Sequence, residues 1–474
     1  MRFIPWWWVP ISPGLTLSGK VWTVVLADKS LFPLDDTLLD RLLRERELDL
    51  EVISIRELSG LVDTLSTELG LEFLRFEFGI PGLLADRIGP REEIQVLESD
   101  PALPSTYPPF DGIPRLKQAA ARFVRSFLDI EVRPENCIPT VGAMQGDFIC
   151  QAIAGRRRPE ANTILYLDPG FPVNKLQTRF LGLKTASIDF YSLRGEKLID
   201  EIERHFSSGR IGGLLWSSPN NPTWICLKEE ELQGIGSLLT QYDVLGIEDA
   251  AYLGMDFRVD YSIPNEPPFP PTIARYTDNY FVVLASSKIF SYSGQRVAIT
   301  VISPGLMNQK YPYLREHYNT DRVGHAFVHG GIYPTTAGVP QSTQHALAAL
   351  FEAACRGEYN FLQQLRQYGE RAHFAKQKFL EAGFDFVYPD DMGKPIGDGF
   401  YFTVSRKGMT GGELLRTMLL FGMSGITLRI TGSEREGVRI CLSQLREDLF
   451  PELEARLSAL EQYLDSQSKA TEAA

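Results

Sequence analysis

The middle of the 474-residue chain alternates short apolar runs with helical stretches, and this alternation constrains the fold more than any other feature. The apolar runs are TILYLD, KTASIDF, IGGLLWS, VLGIED, FVVLAS and VAITVIS. Strands that alternate with helices predict a mostly parallel sheet covered by helices on both faces. In such a sheet, ligand-binding groups gather at the carboxyl ends of the strands. The sequence therefore predicts an α/β domain with its site at that edge.

Helical patterns flank this region on both sides. Apolar residues recur at spacings of three and four over residues 34–69, and again from about Thr343. The segment over residues 73–109 is rich in Pro and Gly and is predicted to be a loop. Two strand-like runs, GFYFTVS and GVRICLS, precede a final helix that is predicted over roughly residues 447–465.

Charge and composition narrow the function classes. The formal net charge is −12, and no basic run is longer than the RRR at residues 156–158. An acidic chain of this kind is not expected to bind nucleic acid. The five cysteines are far apart without C-x-x-C spacing, and the six histidines form no H-E-x-x-H. This pattern predicts reduced thiols, a cytoplasmic protein and no metal site.

The N-terminus is uncharged from Phe3 to Gly19, but Pro5, Pro10 and Pro13 interrupt it. A membrane helix needs about 20 apolar residues and rarely carries so many prolines. A secretory signal would have a smoother apolar core. We therefore expect residues 1–30 to form an irregular extension, and we expect no membrane association.

The stretch ASSKIFSYSGQR places Lys288 just after an apolar run, with Arg296 eight residues further on. A buried ammonium group is costly unless it is paired or neutralised. Desolvation lowers the pKa of a lysine, and the neutral amine is a nucleophile. Lys288 is therefore a candidate active-site amine, and an ordinary lysine at a strand end is the alternative.

Two other turns carry candidate binding residues. In TVGAMQG, Gly142 opens a turn into a helix, and the free N–H groups at a helix start suit an anion such as phosphate. In DPGFPVN, Phe171 follows a predicted strand. It is either a stacking platform for a flat ring or an aromatic side chain that fills a gap.

Polar residues also follow two neighbouring apolar runs. Asn221 begins an Asn-Pro turn, and its amide could donate a hydrogen bond. Asp249 ends the next run and needs a cationic or N–H partner, with Tyr252 three residues on. Asn221, Asp249, Lys288 and Arg296 each stand just past an apolar run, at intervals of 28, 39 and 8 residues.

The order and spacing of these motifs resemble the class I/II aminotransferases, which are fold type I enzymes that use pyridoxal 5′-phosphate. The matching motifs are YPPFDGIPRLK, TVGAMQG, DPGFPVN, SPNNPT, EDAAY, SSKIFSYSGQR and GVRICLS. They extend from Tyr107 to Ser443, about 340 residues, in the order of the family. The resemblance is therefore specific to that family and covers most of the chain.

The resemblance implies a role for each matched residue around the cofactor ring. Lys288 would hold the cofactor as a Schiff base and shuttle a proton during the reaction. Asp249 would pair with the ring nitrogen and keep it protonated, so that the ring acts as an electron sink. Tyr252 and Asn221 would hydrogen-bond the ring oxygen, and Phe171 would stack on the ring face.

The resemblance also implies how the phosphate and the substrate are bound. Arg296 would grip the phosphate, together with the turn formed by Gly142, Ala143 and Met144 through its backbone N–H groups. Arg439 would bind the substrate α-carboxylate in a bidentate fork, and Asn221 would assist it. A strand-end salt bridge is the alternative for Arg439.

The resemblance further implies a homodimer with shared active sites, because Tyr107 would reach the phosphate of the neighbouring subunit. Several positions depart from the family pattern: Ala285 replaces a frequent hydroxyl, Trp224 a glycine, and Gln295 a tryptophan. The phosphate turn offers the side chains of Ala143 and Met144 where hydroxyl or amide groups are usual. These departures put the substrate pocket and the phosphate grip in question but remove no group that the chemistry requires.

The function implied by the resemblance is transfer of an amino group from an α-amino acid to a 2-oxo acid in a ping-pong cycle of amino-acid metabolism. The same residues support a rival reaction, elimination by a C–S lyase. A cofactor-sensing regulator is disfavoured because residues 1–100 show no basic DNA-binding module. Substrate identity is not legible in the sequence.

The implied fold is a large domain with a mainly parallel, seven-stranded sheet and a smaller α+β domain built from both chain ends. The expected boundaries are an extension over residues 1–30, the first part of the small domain over residues 31–107, the large cofactor-binding domain over residues 108–330, and the rest of the small domain over residues 331–474.

Overall fold

The computed structural model of the protein describes residues 32–473, with side chains up to residue 467. The predicted irregular extension over residues 1–30 lies outside the described residues. The strands are β1 (Cys137–Thr140), β2 (Thr163–Asp168), β3 (Lys184–Asp189), β4 (Ile211–Ser217), β5 (Leu245–Asp249), β6 (Tyr280–Ala285), β7 (Ala298–Ile302), β8 (Asp385–Phe386), β9 (Asp390–Asp391), β10 (Lys394–Pro395), β11 (Tyr401–Ser405), β12 (Ile426–Thr427) and β13 (Val438–Cys441).

The α-helices pack around three sheets, of seven strands, of four strands and of the two strands β9 and β10. They are α1 (Asp36–Glu45), α2 (Ile55–Leu69), α3 (Ile88–Ser99), α4 (Pro114–Leu128), α5 (Ala143–Ala154), α6 (Pro172–Phe180), α7 (Glu196–Phe206), α8 (Glu229–Gln241), α9 (Ser286–Ile289), α10 (Pro304–Asn308), α11 (Arg315–Tyr318), α12 (Val323–His325), α13 (Tyr333–Thr336), α14 (Gln341–Cys355), α15 (Phe361–Glu381), α16 (Gly411–Leu420) and α17 (Phe450–Ala473). A π-helical segment, Ala326–Ile332, lies between α12 and α13. Among residues 32–473, no helix is long and apolar enough to cross a membrane.

The larger sheet has seven strands in the order β1-β7-β6-β5-β4-β2-β3. Every neighbouring pair is parallel except the two pairs that β7 makes, with β1 and with β6. The predicted mainly parallel, seven-stranded sheet is therefore confirmed. β1 was not among the predicted strands, because its four residues form too short an apolar run to register as one.

Both faces of the larger sheet are buried, which is why its strands read as continuous apolar runs. Alternate residues of β6 enter different cores: Val282 and Leu284 pack with α4 and α14, whereas Phe281 and Val283 pack with α5 and the π-helical segment. Asp249 at the end of β5 lies in register with Val283 of β6, on the face that α5 covers. We call this sheet and its covering helices the large lobe.

A smaller antiparallel sheet, in the order β12-β13-β11-β8, forms the centre of a second unit. Its core joins residues from both chain ends, including Leu61 of α2, Phe379 of α15, Val438 of β13 and Leu457 of α17. We call this unit the small lobe. The structure thus contains the expected smaller α+β part, while the residue boundaries given above stay a prediction.

The prediction that residues 73–109 form a loop was wrong, because α3 occupies Ile88–Ser99. Pro90 falls in the first turn, where its missing N–H has no intrahelical partner to lose. Gly89 permits close packing, since a Cβ there would lie 2.9 Å from the Tyr292 ring. The final helix, predicted over 447–465, was confirmed and extends further, to Ala473. Helix α16 was not predicted.

Candidate active site

Three neighbouring parallel strands end beside each other and carry the candidate residues. Asp249 is the last residue of β5, pairs with Ser217 at the end of β4, and β6 leads into the short helix that carries Lys288. Asn221 follows β4 by four residues and is buried. The carboxyl edge of the sheet therefore gathers these polar groups, as the strand order requires.

Lys288 contacts the segment around Gly79, which lies between α2 and α3. Its amine donates a hydrogen bond to the backbone carbonyl of Gly79 and lies 5.9 Å from the ring centre of Phe400. Burial lowers the pKa of Lys288 to about 8, with further lowering from Arg439 and Arg296. The pKa of this amine therefore lies below that of an exposed lysine.

Asp249 is buried and accepts a hydrogen bond of 3.1 Å from the backbone N–H of Ala251. Burial raises its pKa to about 6, while the N–H of Ala251 and the charge of Lys288 oppose the rise. Among the described residues no cationic side chain forms an ion pair with Asp249. The expected N–H partner is thus present, and the carboxyl group keeps capacity for another donor.

A second buried carboxyl group, Asp147, faces the same region from α5. Its Oδ2 accepts a long hydrogen bond of 3.4 Å from Asn174, and its buried Oδ1 has no partner among the described residues. Burial and then the charge of Asp249 raise the pKa of Asp147 well above its usual range. The site therefore contains two neighbouring buried carboxyl groups, of which sequence reasoning found only one.

Arg439 reaches the site from β13 of the small lobe and is almost fully buried. Its Nη1 donates to Asn221 Oδ1 at 3.2 Å, and its Nη2 donates to the carbonyl of Glu77 at 2.5 Å. The guanidinium lies 4.7 Å above the ring of Tyr401. No carboxylate pairs with it in the described chain, so the alternative of a strand-end salt bridge is not what the structure contains.

Tyr252 contacts the small lobe through its hydroxyl group, which lies 2.8 Å from that of Tyr401. Trp224 packs against Tyr252 with ring centres 5.3 Å apart, and its backbone has φ 62°. The tryptophan that replaces the usual glycine thus keeps the left-handed backbone that favours glycine. Its indole fills the space beside Gly399, where a Cβ would lie 2.1 Å from the ring.

A second group of residues forms a cradle at the start of α5. Gly142 has φ 71°, and a Cβ on it would lie 2.3 Å from Nη2 of Arg296. The first N–H groups of a helix have no intrahelical acceptor, so Ala143 and Met144 present theirs beside this guanidinium. Arg296 also donates to the carbonyl of Ser293 at 2.8 Å. The arrangement suits a compact anion.

Two further predicted residues, Phe171 and Tyr107, lie outside this group of contacts. Phe171 is partly buried and directly precedes α6, and its side chain makes no capping hydrogen bond there. Tyr107 is 85% exposed in the single chain. No hydrogen bond joins either residue to Lys288, Asp249 or Arg439 among the described residues. The roles assigned to Phe171 and Tyr107 stay predictions.

Sequence reasoning missed Tyr401, Gly79 and Asp147. Tyr401 and Gly79 come from opposite ends of the chain, and no local pattern connects them with Lys288. Asp147 had a usable signal, since a lone carboxyl group precedes the apolar stretch FICQAIA on a buried helix.

Comparison with known proteins identifies the family of the chain. The model of the family "Aminotransferase class I and II" matches residues 92–391, which is more than half of the chain. The chain belongs to the class I and II aminotransferases, and the predicted family is confirmed.

The curated relatives are distant. Glutamate-pyruvate aminotransferase AlaC of Escherichia coli (strain K12) is 27% identical over 188 residues, which cover 39% of this chain and 43% of that protein. The chain thus spans less than half the length of this relative. The probable N-acetyl-LL-diaminopimelate aminotransferase of Bacillus subtilis (strain 168) is 23% identical over 395 residues, which cover 82% of this chain and 87% of that protein.

The fold is also that of solved structures. Aspartate aminotransferase from Thermotoga maritima superposes with a TM-score of 0.68 at 19% identity, covering 90% of this chain and 99% of that one. Aspartate aminotransferase from Thermus thermophilus with maleate gives 0.67 at 18% identity, covering 88% and 98%. The expected fold type I architecture is therefore confirmed.

Proposed function

We propose that this protein is a pyridoxal 5′-phosphate-dependent aminotransferase that moves the amino group of an α-amino acid to a 2-oxo acid in a ping-pong cycle. The observation that carries the proposal is the half-buried amine of Lys288, whose pKa is lowered to about 8, in the same site as the Arg439 guanidinium, which no carboxylate pairs in the described chain. A neutral amine attacks a carbonyl carbon, and a planar buried cation binds a carboxylate.

The residues present fit the cofactor. Because Gly142 has no Cβ, the Arg296 guanidinium approaches the start of α5 closely, and two N–H groups of that helix start adjoin it, so this cradle suits the phosphate. Asp249 has a buried carboxyl group with one backbone donor, which leaves it free to accept the N–H of a protonated ring nitrogen. Lys288 supplies the amine.

Each residue then has a task that its surroundings explain. The bound cofactor supplies an electron sink for the bond that breaks at the substrate α-carbon. Asp249 holds a proton at the ring nitrogen. Arg439 would orient the substrate by its α-carboxylate, and the Nζ of Lys288 would take up the α-proton and return it to the cofactor carbon, so that the proton stays within the site.

Asn221 and Tyr252 complete the assignment. Because Asn221 Oδ1 already accepts from Arg439, its amide Nδ2 is directed away from the guanidinium and can donate to the ring oxygen. Tyr252 donates to the same oxygen, and Phe171 stacks on the ring. Tyr107, exposed in the single chain, is proposed to reach the phosphate of a second subunit in a homodimer. We also propose a cytoplasmic location.

The absorption spectrum of the purified protein with added pyridoxal 5′-phosphate tests this function. We expect a visible band that Lys288→Ala abolishes. Lys376→Met is the matched control, because Lys376 is the other lysine in the described chain whose pKa is lowered by burial, yet it is bonded to Asp398 at 2.9 Å. Its variant should keep the band.

Single amino acids added to the loaded protein then identify the reaction. Conversion of the visible band to the amino form of the cofactor, with release of a 2-oxo acid, supports transamination and names the donor. Release of ammonia and pyruvate from cysteine without that conversion would replace the proposal by a β-eliminating lyase. Equal bands in wild type and Lys288→Ala would overturn the assignment of Lys288.

A further inference from the structure

The hydroxyl groups of Tyr252 and Tyr401 form an isolated pair. Their oxygens are 2.8 Å apart, and both side chains are buried. Within the part of the chain that the structure describes, neither hydroxyl has another hydrogen-bond partner. Each phenol carries one proton, and only one proton can lie between the two oxygens. The other proton must therefore point to an acceptor that the protein does not supply.

The surroundings of Tyr401 decide which proton is free. The backbone of Gly79 approaches the Tyr401 hydroxyl so closely that a Cβ would lie 2.3 Å from it, and the Arg439 guanidinium covers the ring. Tyr252 instead stands three residues past Asp249, at the carboxyl edge of the sheet where the other candidate residues gather. Burial raises the pKa of both phenols, so both keep their protons. The free proton thus belongs to Tyr252.

We propose that Tyr401 is a positioning residue whose hydroxyl donates to the oxygen of Tyr252 and so directs the Tyr252 proton at the ring oxygen of the cofactor. This inference rests on the proposed function, because the acceptor belongs to pyridoxal 5′-phosphate. A hydroxyl that accepts a hydrogen bond becomes a stronger donor. Tyr401 of the small lobe thereby strengthens the hydrogen bond that Tyr252 donates, although the Tyr252 hydroxyl has no hydrogen-bond partner among the described residues of the large lobe itself.

We call the two hydrogen bonds, from Tyr401 to Tyr252 and from Tyr252 to the ring oxygen, the relay. The relay should change the absorption spectrum of the loaded protein. With the cofactor bound, a proton on the Lys288 nitrogen would balance negative charge on the ring oxygen. Once that proton had left, the hydrogen bond from Tyr252 would become the main stabilisation of the negative charge. The relay therefore lowers the pH at which the proton leaves, and its loss raises that pH.

Spectrophotometric pH titration of the loaded protein measures this midpoint directly. Tyr401→Phe should raise it by about half a pH unit to one pH unit, and Tyr252→Phe should raise it more. The double variant Tyr252→Phe/Tyr401→Phe should match Tyr252→Phe alone, because the relay acts only through Tyr252. Tyr388→Phe is the control, since this buried small-lobe hydroxyl pairs with Ser433 at 2.6 Å. Its midpoint should equal that of the wild type.

The outcomes separate the relay from the proposed function. An unchanged midpoint in Tyr401→Phe, with a shifted one in Tyr252→Phe, overturns the relay and leaves the enzyme assignment intact. Additive shifts in the double variant also overturn it, because Tyr401 would then act independently of Tyr252. A wild type that forms no visible band overturns the proposed function, and the relay with it. Thermal unfolding of each cofactor-free variant confirms that the compared proteins are folded.

Discussion

A Cβ atom on Gly79 would lie 2.3 Å from the hydroxyl oxygen of Tyr401 and 3.4 Å from its Cζ atom. The first distance is a clash and the second an ordinary contact, so the hydroxyl group alone excludes a side chain at position 79. The carbonyl of the same glycine accepts the hydrogen bond of Lys288. One backbone position thus connects the small-lobe sheet with the candidate reactive amine.

We expect Gly79→Ala to lower the free energy of unfolding by about 1–3 kcal/mol, because overpacking forces the buried tyrosine or the backbone to move. Adding Tyr401→Phe should recover most of this loss, since the new methyl group then meets only the ring carbon. Urea unfolding of the cofactor-free proteins measures both effects. Gly294→Ala is the control, because a Cβ there meets nothing within 4 Å. A double variant no more stable than Gly79→Ala would show that the hydroxyl is not the obstacle.

Lys288 should become reactive at lower pH than an exposed lysine, because burial lowers its pKa to about 8. The neutral amine is the reactive form, so its labelling should rise with pH and reach half its plateau near pH 8. Competitive acetylation of the cofactor-free protein, read by peptide mass analysis, gives this midpoint separately for each lysine. Lys394, exposed on β10, is the internal reference. Identical midpoints for the two lysines would contradict the burial effect.

Much of the site could be predicted because its residues follow apolar runs. Asn221, Asp249 and Lys288 each come just after a strand of one parallel sheet, and neighbouring parallel strands end side by side. The position of each residue after its own strand was therefore enough to predict that the three side chains lie near one another. The resemblance in the motifs added Arg439, which the structure places against Asn221 at 3.2 Å.

The small-lobe contribution could not be predicted in the same way. Tyr401 meets Tyr252 over a separation of 149 residues, and this contact depends on how two lobes pack rather than on any local period. The helix α3 was missed for a different reason. Its Gly and Pro stand in the first turn, where they cost the helix little, although the same residues inside a helix would break it.

The cofactor-free protein should lose stability as pH rises from about 4 to 6, because of Asp249. Burial raises the pKa of this carboxyl from 3.8 to about 6, so the folded state holds the proton more tightly than the unfolded state. The favourable contribution is complete below the unfolded pKa and is lost as pH rises through the folded pKa. The loss amounts to at most about 3 kcal/mol. Asp249→Asn should remove this part of the pH dependence.

Urea unfolding at a series of pH values checks the slope. Asp385→Asn removes an exposed carboxyl group on β8 and should leave the slope unchanged. Asp147→Asn should become more stable than the wild type only at higher pH, because burial, and then the charge of Asp249, raise the pKa of Asp147 and delay its ionisation. Parallel curves for Asp249→Asn and the wild type between pH 4 and 6 would refute the assignment.

Asp391 of β9 should be among the most sensitive positions for stability. It is fully buried, its Oδ1 accepts from Arg194 at 2.7 Å, and its Oδ2 accepts from Arg258 at 3.0 Å and from Lys228 at 3.3 Å. Burial alone would raise the pKa of Asp391, but the hydrogen bonds from Arg194 and Arg258 outweigh it and lower the pKa. Asp391→Asn should cost about 3–5 kcal/mol, because three cations lose their shared anion.

The neighbouring variant Asp390→Asn isolates this effect. Asp390 is only partly buried and accepts from the Tyr191 hydroxyl at 3.0 Å, so its loss should cost about 1 kcal/mol. Because the pKa of Asp391 is lowered on folding, its contribution is present above the unfolded pKa and is lost as pH falls below it. The difference between wild type and Asp391→Asn should therefore shrink below about pH 4. Equal losses for the two variants at neutral pH would mean that the three cations find other partners.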